Sequence, residues 1–152
     1  MKLEQVLAQW ARRAPTPGAA AAAPRESLSG RWRNEYGSVA EFAVEGERVN
    51  GTYTSQVGAA AKPLVGPITG FVRGDTVAFA VLWPAQSHSI TSWVGQIVDV
   101  NGAPELRTLW HLVADIPDTD EPTGLWSTIH TGADTFRPLA EATKSHPGTR
   151  SR

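Results

Sequence analysis

The stretch SITSWVGQIVDVNGAPELRTLWHLV, running from Ser89 to Val113, decides the fold. Branched and aromatic side chains dominate both of its halves, and they alternate with polar ones. That is the period of a strand whose two faces meet different surroundings. Asn101-Gly102 divides the halves, and this dipeptide tolerates the two positive φ values of a tight hairpin turn. The segment therefore predicts an antiparallel pair, Ser89 to Asp99 and Glu105 to Val113.

Working toward the N-terminus, the same grammar repeats. Pro84 to His88 is a short connection preceded by a strand from Thr76 to Trp83. Arg73-Gly74-Asp75 is a tight turn after Leu64 to Val72. A small-residue loop, Gln56 to Pro63, follows Arg48 to Ser55. Glu45-Gly46 and Tyr36-Gly37 are the turns that flank Ser38 to Val44, and Leu28 to Glu35 is the first strand. Toward the C-terminus, an Asp- and Pro-rich loop from Ala114 to Gly124 leads into Leu125 to Phe136. The series is eight strands with short links. It suits an all-β, eight-stranded antiparallel up-and-down β-barrel, which leaves no sheet edge and can enclose one small ligand. A β-sandwich is the alternative for such a series.

The ends of the chain read differently. Residues 1–27 form an N-terminal extension. Leu3, Val6, Leu7 and Trp10 have helical spacing, and Pro15, Pro17 and Gly18 end that helix. Ala19 to Ala23 with Pro24 reads as a flexible linker. A secretory signal is the other reading, but Glu4, Gln5, Gln9, Arg12 and Arg13 interrupt its apolar stretch. The compartment is left open. The barrel domain spans 28–137, and the polar residues 138–152 are expected to form a disordered tail.

Alternation sorts the side chains. Ser89, Thr91 and Trp93 share one face, as do Leu106, Thr108, Trp110 and Leu112. Trp32 pairs with Asn34 in this sense, and Tyr53 with Ser55. A purely structural interior favours Val, Ile and Leu, because a buried polar group without a partner costs about 1–3 kcal/mol. Hydroxyls and an amide beside several indoles point to a pocket for an amphipathic small molecule. For any single residue, a hydroxyl satisfied by backbone or water and a Trp that is simply core remain the plainer reading.

Composition narrows the function classes. A net charge of −1 offers no field for nucleic acid or an anionic membrane, so neither is expected as a partner. The chain has no cysteine, which removes thiolate catalysis and Cys-bound zinc. His88, His111, His130 and His146 show no metal-ligand spacing, and none is placed to act as a base on Ser89 or Asp134. No Gly-rich phosphate loop is present. No metal, no cofactor and no enzymatic activity are expected.

Four stretches, in order and at barrel spacing, resemble the avidin and streptavidin family of biotin-binding proteins. They are Ser29-Gly30-Arg31-Trp32-Arg33-Asn34 with Gly37-Ser38, Gly51 to Gly58, Ser89 to Gln96, and Leu125-Trp126-Ser127-Thr128 through Gly132 to Phe136. Trp83 and Trp110 stand where the family has its tryptophans. The resemblance implies a streptavidin-like barrel that holds biotin tightly, under a lid loop, without chemistry. It also implies roles. Asn34, Ser38 and Tyr53 would donate to the urea oxygen, the binding counterpart of an oxyanion hole. Asp134 and Ser55 would accept from the urea N–H groups, and Thr91 would face the sulfur. Trp83, Trp93 and Trp110 would wall the rings, with Leu112 and Val57 in aliphatic contact. Ser89 and the backbone near Ala60 would meet the tail carboxylate. Trp126 would reach from a neighbouring subunit, so a homo-oligomer, dimer or tetramer, is implied. Sequestration of the vitamin is the purpose the family suggests, and its members are often exported.

Departures are local. Ala59 stands where streptavidin has an Asn on the tail carboxylate, and His130 and Thr131 replace apolar residues near the family's subunit contacts. The reading from another class is an avidin-like barrel with weak or no biotin binding that acts in protein association.

Overall fold

The computed structural model describes residues 2–11, 28–56 and 62–140. Its N-terminal helix, α1 (Leu3–Ala11), coincides with the apolar spacing of that segment. The expected linker after Arg13, most of the expected tail, and Val57, Ala59 and Ala60 lie outside the described residues.

Eight strands follow: β1 (Gly30–Asn34), β2 (Val39–Glu45), β3 (Arg48–Ser55), β4 (Leu64–Arg73), β5 (Thr76–Leu82), β6 (Ser89–Val100), β7 (Ala103–Ala114) and β8 (Ile129–Pro138). Each pairs antiparallel with the next, and β8 returns to β1 through Trp32↔Pro138 and Asn34↔Phe136. The sheet is a closed barrel, not a sandwich. The β6–β7 hairpin turns on Asn101 (φ 56°) and Gly102 (φ 83°), the pair of left-handed residues that the dipeptide promised.

One expected strand is shorter than its sequence suggests. Leu125–Thr128 is a 3-10 turn, preceded by a single helical turn, α2 (Glu121–Gly124), and β8 begins only at Ile129. Local hydrogen bonds explain the difference. Ser127 Oγ donates to Gly124 O at 2.7 Å, Thr128 Oγ1 to Leu125 O at 2.8 Å, and Trp126 Nε1 to Thr123 O at 3.0 Å. Each bond reaches back three residues and favours a turn over an extended chain.

The interior has two ends. The turns at Gly46, Gly74 and Gly102 mark one, and there Leu28, Val49, Val72, Val77, Ile97 and Leu106 are buried together. The 35–38, 84–88 and 115–128 connections surround the other end, the mouth. Between them lies an aromatic layer in which Phe79 stacks on Trp93 at 5.0 Å and meets Phe42 edge-on at 5.2 Å. Outward positions of β4 to β8 carry exposed apolar residues, among them Phe71, Leu82, Ile90, Val94, Leu109 and Val113.

Candidate functional site

The site begins at the turn after β1. Asn34 Oδ1 accepts from Tyr36 N at 3.1 Å and Ser38 N at 2.9 Å, which folds residues 35–38 around its amide. The Asn34 Nδ2 group then points to Tyr53 Oη at 3.4 Å, and Ser38 Oγ accepts from Gln56 N at 3.0 Å. One amide therefore holds two other members of the sequence-derived set, Ser38 and Tyr53, beside it.

The strand paired with β1 on its other side, β8, carries a carboxylate into the same cavity. Asp134 Oδ2 accepts from Trp93 Nε1 at 2.9 Å, so an indole sets the orientation of the carboxylate. Its residue is 7% exposed. Burial pushes its carboxyl above the ordinary range, and the charge of Glu35 pushes the same way. The Trp93 N–H, with Asn34 and Trp110, opposes them. Burial also raises the Tyr53 phenol, with Asp134's charge adding to it, so this hydroxyl stays protonated and can donate. Tyr53 stacks on Trp93 at 5.0 Å and meets Trp83 edge-on at 5.6 Å. Trp83 Nε1 is satisfied by Thr91 Oγ1 at 2.8 Å.

These groups enclose a cavity of about 440 Å³ opening at the mouth, inside the range of sites for small organic ligands. Its lining brings together Asn34, Ser38, Tyr53, Ser55, Trp83, Thr91, Trp93, Trp110, Leu112 and Asp134, all named from the sequence. Tyr36, Gly132 and Ala133 complete it and were not anticipated. Ser89 lines a separate depression at the mouth with His88 and Ile116. Trp126 stands on its turn, 81% exposed, away from its own chain's cavity. His130 follows the inward parity of Asp134, opposite Leu112 at the rim. Thr131 faces outward beside His111.

A larger concavity, about 810 Å³, lies on the outer surface of β4 to β8 around Phe71, Val94, Leu109 and Ala133. It is mostly apolar, with Arg73, Gln96 and Arg107 among its lining residues, whereas the interior cavity gathers the polar groups named above. Among the described residues no cluster of His, Asp or Glu could hold a metal, and no helix is long and apolar enough to cross a membrane.

Comparison with known proteins agrees with this geometry. The model of the Avidin family matches residues 22–139. Avidin-related protein 4/5 of Gallus gallus is 30% identical over 121 residues, covering 74% of this chain and 78% of that protein. Gallus gallus avidin is 29% identical over 123 residues with the same coverage. Among solved structures, Xenavidin superposes with a TM-score of 0.63 at 31% identity, covering 74% of this chain and 96% of its own. The rhizavidin–biotin complex gives 0.60 at 27%, covering 74% and 100%. With a closed eight-stranded barrel, a polar and indole-walled interior and a family match across that whole barrel, this chain belongs to the avidin family, whose members bind and do not catalyse.

Proposed function

We propose that the interior cavity binds biotin and does no chemistry on it. The observation that carries this reading is the meeting of hydrogen-bonding groups and a carboxylate in one cavity. Asn34, Ser38 and the protonated Tyr53 offer hydrogen-bonding groups, and the buried Asp134 carboxylate lies beside them on β8, the strand paired with β1. A cyclic urea is polar at its oxygen and at its two N–H groups, and it matches such a pair. Ser55 is the second acceptor, Thr91 faces the thioether, and Trp83, Trp93, Trp110 and Leu112 wall the apolar rings. Fixed donors in a site closed to water hold a carbonyl far better than water-exposed ones do. Val57, Ala60 and Ser89 are assigned to the lid and the tail end of the ligand. Biotin is cargo, and no cofactor belongs to this reading.

The exposed apolar outer surface of β4 to β8 supports a homo-oligomer built on that face. Trp126, exposed on its turn, then crosses to cover a neighbour's ligand. High affinity rests on that shared cover as much as on the urea site.

Addition of biotin to the protein tests the reading. Tryptophan emission should be quenched through Trp83, Trp93 and Trp110, and the melting temperature should rise as ligand binds only the native state. An unchanged spectrum with an unchanged melting temperature would leave association through the outer face as the function.

A further inference from the structure

Alternation along β8 turns positions 132, 134 and 136 inward, and Asp134 and Phe136 are buried there. Position 132 is a glycine at the edge of the cavity, directly opposite Trp110 of β7. A Cβ built on Gly132 would collide with Cζ2 of Trp110, lie 2.6 Å from its Cε2 and 3.0 Å from its Nε1. All three nearest atoms belong to that one indole. Other strand glycines differ. At Gly51, Gly66, Gly70 and Gly95 the first obstacle is a backbone carbonyl oxygen, so those residues permit close packing of chain on chain. Gly132 is not among the residues with positive φ, so its backbone does not demand glycine. Only the ring does.

We infer that Gly132 is the positioning residue for Trp110: the bare backbone lets the indole lie against β8, and so fixes how much of the cavity's width is left for a ligand ring. Any side chain at 132 drives the indole off the strand and into that space. It also moves the Trp110 N–H away from Asp134, whose carboxyl it helps to hold. The ligand consequence rests on the biotin reading, while the packing consequence does not.

A double-mutant cycle separates these. Gly132→Ala should weaken biotin binding about tenfold to a hundredfold, the effect of forcing one methyl group into a packed wall. Without ligand, it should lower the melting temperature and change tryptophan emission. Trp110→Phe removes the indole nitrogen and the benzo ring that crowd position 132. In that background Gly132→Ala should add little to either loss. Equal losses in both backgrounds would overturn the inference, because the glycine would then act through its backbone. If Gly132→Ala alone does not fold, recovery of folding in the Trp110→Phe background supports the inference, and failure of both refutes it. Should the unsubstituted protein not bind biotin, the biotin reading falls, and the ligand-free melting and emission cycle still decides the role of Gly132.

Discussion

The two ends of the barrel interior are built from the same eight strands and obey opposite rules. At the turn end, Val49, Val72, Val77, Ile97 and Leu106 fill the space with aliphatic side chains. At the mouth, Asn34, Ser38, Tyr53, Thr91 and Asp134 share a cavity with three indoles. The first end stabilises the fold by removing apolar area from water, roughly 25 cal/mol per Å². The second gives up part of that gain to hold polar groups that a ligand can meet. The carboxylates show the contrast in miniature. Asp134 lies inside, where burial raises its pKa against the opposing N–H groups of Trp93, Asn34 and Trp110. Glu105 lies on the outer wall near the turn end. Arg137 (2.7 Å) and Arg107 (3.0 Å) grip it, and their hydrogen bonds lower its pKa.

The strongest way to sharpen this division is Leu106→Ala. Truncating a fully buried turn-end side chain should lower unfolding stability by about 2–5 kcal/mol in a denaturant titration. Biotin affinity of the folded fraction should stay unchanged. A parallel loss of affinity would mean the two ends are one cooperative unit.

Asp134→Ala should do the reverse. Biotin binding should weaken by about 1–3 kcal/mol in calorimetry, with the barrel folded. The pH dependence has a definite sign. A carboxyl whose folded pKa is raised favours the folded state when protonated, and that contribution is lost as pH rises through the folded pKa. At neutral pH the ionised Asp134 therefore burdens the unliganded barrel, and its removal should hold or raise the melting temperature. A fall would break the comparison.

Trp126→Ala probes the mouth from outside its own chain. Release of biotin should quicken by roughly fivefold to tenfold, as for loss of a peripheral aromatic contact. Stability should change little, since among the described residues Trp126 bonds to its own turn through Thr123 O. Mixing with intact subunits should restore slow release, and failure to do so would assign the residue to its own subunit.

The smallest effect is expected at Glu105→Gln. A lowered folded pKa contributes stability above the unfolded pKa and loses it as pH falls through the folded value. The variant should melt slightly below the parent at neutral pH, and the gap should close in acid.

Much of this was legible in the residues. Alternation and the turn dipeptides place eight strands with ends that move by only one or two positions, except where Ser127 and Thr128 bond back along the chain and delay the start of β8 to Ile129. The polar wall was legible in part because Asn34, Tyr53, Ser55 and Thr91 bring polar groups to inward strand positions, while Ser38 and Asp134 came from the resemblance to the avidin and streptavidin family. Gly132 was not, for a site made by a missing side chain has no pattern of its own. It appears only when the register sets Trp110 across from it. Glu105 was silent for the same reason, its cross-strand partner Arg137 being fixed by a pairing that the linear sequence does not state.

The closure of β8 onto β1 has a practical side. Gly30 and Pro138 both stand at the turn end, where Leu139 N donates to Arg31 O at 2.7 Å. The barrel's two ends of chain therefore leave it together, on the side facing away from the cavity opening. A reporter, a surface tether or a second domain attached beside Gly30 or Pro138 would sit on that side and leave the cavity opening free.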